Sequence, residues 1–315
     1  MTASVETPGR TEPGRVTFLE LEITSRCQLT CASHCYAEAG PTQGHGAMSG
    51  EDWRRIIDEA AAMGVEAVQF IGGEPTLHPE FTQLLGHALN AGLRVQVFSN
   101  LYRVRAEHWE LFAHPRVSLG TSYYSSDPDE HDEITGRKGS HDSTRANIVE
   151  AVRRGIPLKV GIIHMRDGQR TEEARSEIAA LGVQRVHIDR VRAVGNAAKG
   201  MIPSTSALCG RCADGKAAVL PDGQVAPCVL GRFLPAGDVK TGSLAEVFAG
   251  QEWARVAASI PRGHRGGCTP DEDSCMPSPG QAPSVDRTVT ACNPDLDGDD
   301  CSPAETPACA PSVEE

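Results

Sequence analysis

The chain is poor in aromatics. Phe, Trp and Tyr make up 4% of its 315 residues, so any core must be built largely from aliphatic side chains. No apolar run approaches the roughly 18–20 residues of a membrane-spanning helix. The first fifteen residues, MTASVETPGRTEPGR, lack the hydrophobic stretch of a secretion signal and read as a flexible polar lead-in. Basic stripes are missing too. Residues 271–315 hold eleven Asp/Glu against one Arg, while the first 270 hold 31 acids and 29 bases. The net charge of −12 therefore belongs mostly to the tail. A near-neutral body of this kind argues against nucleic acid as a partner, as the missing apolar run argues against membrane.

Cysteine, by contrast, is plentiful, with eleven in the chain. Without an export signal a cytoplasmic location is expected, where thiols stay reduced. The cysteines then point to metal or redox chemistry rather than a disulfide framework.

Hydrophobic periodicity alternates between two and 3.6 residues along the body. Strands are predicted over 16–24, 66–73, 93–100, 116–124, 157–165 and 183–191, and helices over 49–64, 79–92, 105–113, 143–155 and 171–182. Ser49 is placed to cap the first helix and Gly64 to end it. Short loops and strict alternation predict an α/β fold, a partial (β/α)6 barrel resembling a TIM barrel but short of its eight units. The expected divisions are a lead-in over 1–15, the barrel over 16–203, a Cys-rich extension over 204–280 and an acidic tail over 281–315.

Cys27, Cys31 and Cys35 stand in CQLTCASHCY (27–36), three residues between neighbours. Thiolates this close can hold zinc, closed by His34 or His45, or an iron–sulfur cube with one iron open to a further ligand. Three unpaired loop cysteines are the plain alternative. The triplet directly follows the first predicted strand, and Gly72-Gly73-Glu74-Pro75 directly follows the second. Both lie at the strand ends where such folds gather their chemistry.

With these residues the chain resembles the radical S-adenosylmethionine (SAM) enzymes. That family carries CxxxCxxC followed by an aromatic residue in the same loop. Here Tyr36 follows Cys35, and one extra residue within Ala32-Ser33-His34 widens the spacing to CxxxCxxxC. His34 falls where the third ligand would stand at the usual spacing; Cys35 is preferred because thiolate is the usual ligand. Gly72-Gly73-Glu74-Pro75 is similar to the family's GGEP motif, which implies that this loop holds the amino group of SAM. The resemblance also implies ribose contact at Ser99 and Asn100 and carboxylate contact at Ser122. Ser122 opens SYYSSDPDEHDEITGRKGSH (122–141), which looks like a block of the family. Relatives often carry an Arg near Thr135, where the nearest base here is Arg137. RVRAVGNA (190–197) resembles the loop after the sixth strand. The implied chemistry is reductive cleavage of SAM on a 4Fe–4S cluster, giving a 5′-deoxyadenosyl radical that removes a hydrogen atom from an unactivated C–H.

After residue 203 the sequence turns rich in Cys, Gly and Pro. LCGRCADGKAAVLPDGQVAPC (208–228) predicts a hairpin about Pro-Asp-Gly, and 237–250 a strand leading into a helix. This resembles the SPASM or twitch extension of radical SAM enzymes, which carries auxiliary iron–sulfur clusters. Cys209, Cys212, Cys228, Cys268 and Cys275 are the candidate ligands for one or two such clusters, although the CxxCx5Cx3C run of a full SPASM pattern is missing. A zinc knuckle is the alternative. Cys268, Cys275, Cys292, Cys301 and Cys309 each precede x-Pro at irregular spacing, and the composition of 281–315 predicts disorder until a metal or partner binds.

The resemblance implies an enzyme acting on a ribosomally made peptide by cross-linking, thioether formation or epimerisation. A flavodoxin- or ferredoxin-type donor would supply electrons. Only fifteen residues precede the first strand, so a separate leader-peptide-binding partner or direct recognition is expected. Two alternatives stand beside this: a dehydrogenase or maturase of a small molecule or protein, and a non-catalytic electron-transfer or zinc protein. Tyr123, Tyr124, His164, His187 and Asp189 fall near predicted strand ends and are candidates to line the pocket.

Overall fold

The computed structural model describes residues 15–262. Six strands, β1 (Phe18–Glu22), β2 (Ala67–Ile71), β3 (Arg94–Phe98), β4 (Val117–Tyr123), β5 (Leu158–His164) and β6 (Arg185–Arg190), pair in parallel and in chain order. Helices α1 (Gly50–Ala62), α2 (Phe81–Asn90), α3 (Ala106–Phe112), α5 (Ser140–Arg153) and α6 (Thr171–Ala180) return the chain between them. The capping box expected at Ser49 is formed with Asp52. The tail cysteines Cys268, Cys275, Cys292, Cys301 and Cys309 lie outside the described residues.

Two features differ from the sequence reading. A further helix, α4 (Pro128–Thr135), occupies a stretch with too few apolar residues to show a helical period. Asp127 caps it, Pro128 begins it and Gly136, left-handed at φ +66°, ends it. The second difference is in the extension. Its strands β7 (Lys216–Val219), β8 (Gln224–Ala226) and β9 (Gly237–Asp238) continue the barrel sheet, in the order β6-β5-β4-β3-β2-β1-β7-β8-β9. β7 lies parallel to β1, and the hairpin then turns antiparallel. Helices α7 (Leu244–Ala249) and α8 (Gln251–Ser259) follow.

Side chains alternate across a strand, and this sheet uses the two faces for different purposes. Leu19, Leu21, Val68, Phe70, Val95, Val97, Leu119, Val160 and Ile162 face the helices and are fully buried or nearly so. They pack against Trp53, Ile56, Leu84, Phe112, Ile148 and Ile178. The few aromatics are concentrated here, with Phe81 edge-on to Phe70 and Phe112. The other face carries Glu20, Glu22, Gln69, Gln96, Lys159, His187 and Lys216. That polar face lines the site.

Candidate functional site

Two cysteine sets far apart in sequence open on one cavity of about 310 Å³. Cys27, Cys31 and Cys35 line it from the β1–α1 loop, and Cys209, Cys212 and Cys228 from the extension. None of the six is in a disulfide. A smaller cavity of about 220 Å³ lies at the opposite, N-terminal ends of the strands, and none of the six described cysteines lines it.

The first loop is held from three directions. Gly73 and Glu74 donate their N–H groups to the Thr24 and Arg26 carbonyls at 2.8 Å each. A Cβ at Gly72 would stand 2.4 Å from the Thr24 oxygen and one at Gly73 2.5 Å from the Arg26 oxygen, so only glycine permits this crossing. The turn between α4 and α5 braces a second side. Thr30 donates its N–H to Thr135 O and its hydroxyl to Gly136 O, both at 3.0 Å, and Arg137 donates to Gln28 O at 3.0 Å. The Asp132 carboxylate shapes that turn by accepting from the Gly139 and His141 N–H groups and the Ser140 hydroxyl. The third brace is Asn196, whose backbone N–H reaches Cys35 O at 2.9 Å and whose amide reaches Cys31 O at 3.2 Å.

Donors point at the first set of sulfurs. Leu29 N–H lies 3.4 Å and Asn100 Nδ2 3.6 Å from Cys27 Sγ, and Ala39 N–H lies 3.4 Å from Cys35 Sγ. Burial pushes the Cys27 thiol up to about 12 and raises Cys31 and Cys35 as well. Such thiols ionise when a metal supplies the compensating charge. Among the described residues no three His, Cys, Asp or Glu side chains converge tightly enough for one metal ion. Soft thiolates set more widely, with N–H donors aimed at sulfur, fit an iron–sulfur cube. His34 is bonded at both ring nitrogens, to Tyr124 OH at 3.0 Å and Ser33 Oγ at 3.4 Å. Burial lowers its pKa to about 4, so the ring is neutral.

The other sequence candidates divide by the strand period. Gly72, Gly73, Asn100, Ser122, Tyr124, His187 and Asp189 line the cavity; Glu74, Pro75, Ser99, Tyr123 and His164 do not. Glu74 is fully buried. Its carboxylate accepts from Thr76 N–H and hydroxyl at 3.2 and 2.7 Å, from Ser99 Oγ at 2.9 Å and from Asn100 N–H at 2.8 Å. It ties the ends of β2 and β3 together. Tyr123, expected to line the pocket, instead faces the helices and bonds His141 at 2.6 Å. Its neighbour Tyr124 points the other way.

Four charged groups on β1 and the extension had no motif to announce them. Glu20 on β1 receives Lys216 Nζ at 3.2 Å and Val229 N–H, next to Cys228, at 2.8 Å. Glu22, also on β1 and fully buried, receives Arg232 at 3.0 and 3.1 Å. Their signal was a pair of carboxylates inside an apolar strand, FLELE, which buried positions tolerate only with partners. The Sγ atoms of Cys212 and Cys228 are 2.7 Å apart.

The sequence profile of the radical SAM superfamily matches residues 21–181, and that of an iron–sulfur cluster-binding domain, SPASM, matches 209–275. The PqqA peptide cyclase of Ruegeria pomeroyi is 32% identical over 190 residues, covering 58% of this chain and 49% of that protein. The sporulation killing factor maturation protein SkfB of Bacillus subtilis is 30% identical over 182 residues, covering 57% and 44%. The chain thus spans about half the length of the curated relatives it matches. In fold it is similar to SuiB of Streptococcus suis. The S-adenosylmethionine-bound structure has a TM-score of 0.65 at 14% identity, covering 78% of this chain and 68% of that one. The structure bound to precursor peptide SuiA has a TM-score of 0.64 at 13% identity, covering 78% and 67%.

Proposed function

The chain belongs to the radical SAM superfamily, and on that premise we propose that it cleaves S-adenosylmethionine reductively and removes hydrogen from a ribosomally made peptide. What supports this reading is the opening of both cysteine sets on one cavity, beside Gly72, Gly73, Asn100 and Ser122. A reduced cluster held by the first cysteines would supply the electron for reductive cleavage of SAM.

The chain's own residues hold and shield. Cys27, Cys31 and Cys35 are the proposed ligands of the first cluster. Leu29 N–H, Asn100 Nδ2 and Ala39 N–H offset the charge on their sulfurs. The glycine pair lets the backbone approach the amino-acid end of SAM, with Ser122 a donor for its carboxylate. Glu74 serves by fixing the backbone of Asn100, the proposed ribose contact. Tyr124, bonded to His34, closes one wall and keeps water out. Cys209, Cys212 and Cys228 are the proposed ligands from the described part of the second site. The peptide assignment rests on the names of the relatives, a peptide cyclase and a maturation protein, and on the precursor peptide bound to SuiB. A cytoplasmic setting with a flavodoxin- or ferredoxin-type donor belongs to the same proposal.

The test uses full-length protein purified without oxygen. About eight irons per chain are expected, falling by about four in a Cys27/Cys31/Cys35→Ala variant. Dithionite should release 5′-deoxyadenosine from SAM in the parent and not in the variant. Mass spectrometry of candidate precursor peptides should then show a changed residue. Zinc without iron and no nucleoside after reconstitution would overturn the reading, and turnover of a small metabolite alone would overturn its peptide part.

A further inference from the structure

Two buried cations flank the second cysteine set. Arg192 arrives on the turn after β6, the same turn that Asn196 fastens to the first cysteine loop. Its side chain is 4% exposed. Nη2 is engaged by the Asp189 carboxylate, at 3.1 and 3.3 Å. Nε and Nη1 are buried and have no hydrogen-bond partner among the described residues. Unmade hydrogen bonds on a buried charged group are costly, and native proteins rarely leave them so. Their acceptor is therefore something that enters the site.

Lys216 is the second cation. Glu20 fixes its ammonium through one carboxylate oxygen and the backbone beside Cys228 through the other. Arg192, Lys216, Cys209, Cys212 and Cys228 line the same cavity. An iron–sulfur group on these thiolates is anionic and offers sulfur acceptors, which is what Arg192 lacks.

We propose that Arg192 hydrogen-bonds the auxiliary iron–sulfur group through Nε–H and Nη1–H, and that Arg192 and Lys216 together raise its reduction potential. The proposal rests on the second cysteine set being an iron–sulfur site. Reduction adds negative charge, so fixed positive charge in a water-poor cavity favours the reduced state.

The experiment uses the full chain with Cys27, Cys31 and Cys35 changed to Ala, loaded anaerobically with iron and sulfide, so that only the second site is filled. In a redox titration followed by electron paramagnetic resonance, Arg192→Met and Lys216→Met should each shift the midpoint downward at unchanged iron content. Lys216→Arg should restore it. In the parent grown on 15N-arginine, the reduced cluster should show hyperfine coupling to a guanidinium nitrogen, and Arg192→Met should abolish it. Unchanged midpoints, or no nitrogen coupling in the iron-loaded parent, overturn the proposal and leave the iron–sulfur site standing. No iron in the parent overturns the underlying assignment together with the proposal. If Arg192→Met fails to hold iron, the nitrogen coupling of the parent decides.

Discussion

At residue scale, the glycines that matter are those where another backbone passes. Gly195 and Gly200 both sit in the left-handed region, at φ +58° and +78°. A Cβ at Gly195 would lie 2.4 Å from the Tyr36 carbonyl oxygen, whereas one at Gly200 meets nothing within 4 Å. Alanine at Gly200 should therefore cost only the backbone strain, about 1–2 kcal/mol. Alanine at Gly195 should cost more and loosen the Asn196 clamp on Cys31 and Cys35. The expected outcome is a selective loss of about four irons and of SAM cleavage in Gly195→Ala, with Gly200→Ala loading normally, measured by iron analysis and nucleoside assay. Equal iron in the two variants would show that the clamp does not shape the cluster loop. The sequence contained both glycines, but nothing in RVRAVGNA indicates that the Cys35 carbonyl lies against one of them.

At the scale of elements, the block from Asp127 to His141 illustrates how a motif can be recognised before its role is. As sequence it is a family-like string; as structure it is α4, two left-handed glycines, Gly136 and Gly139, and the first turn of α5, folded around one carboxylate. Burial pushes the Asp132 carboxyl up, but the His141 and Gly139 N–H groups and the Ser140 hydroxyl outweigh it, leaving the pKa below its ordinary 3.8. A lowered acid contributes stability above its unfolded value and loses it as pH falls through the folded one. Asp132→Asn should thus melt earlier than the parent at pH 7. The gap should close as pH drops below 3.8 and through Asp132's own lower value, which circular dichroism at several pH values would follow. A gap independent of pH would mean that shape, not charge, holds the turn. The helix α4 itself was hidden, because caps rather than apolar periodicity define its eight residues.

For the whole molecule, the decisive event is the docking of β7 on β1. It makes one sheet of barrel and extension and brings the second cysteines to the first cavity. Two ion pairs secure the junction, Lys216 with Glu20, both buried, and half-buried Arg232 with buried Glu22. Burial raises the Glu22 carboxyl to about 7 against the pull of Arg232. A raised acid is most favourable to folding when protonated, and its contribution falls as pH climbs from its unfolded value of 4.5 toward 7. Arg232→Met leaves that carboxyl alone. The variant should lose about 1–1.5 kcal/mol more at pH 8 than at pH 5, because pH 8 is only about one unit above the folded value of about 7 and the stranded carboxyl then takes a proton. Adding Glu22→Gln should recover a large part of the loss at pH 8. Urea titrations of the two variants would measure both effects, and an equal loss at the two pH values would remove the electrostatic account.

Much of this protein was determined by its sequence alone. Period-two and period-3.6 runs specified the six barrel strands and five of the helices, because each element must bury one apolar face. The cysteine triplet and the Gly-Gly-Glu-Pro loop announced the first site, because residues close in sequence stay close in space. Only the tertiary structure decided which neighbouring strand-end residues face the cavity, turning Tyr124 inward and Tyr123 out. It also decided that Glu74 braces Asn100, and that Glu20 and Glu22 of β1 meet Lys216 and Arg232 about two hundred positions later. The physical reason is range. Local propensity reaches only a few residues along the chain, whereas a buried charge is satisfied by whatever cation the folded sheet brings beside it.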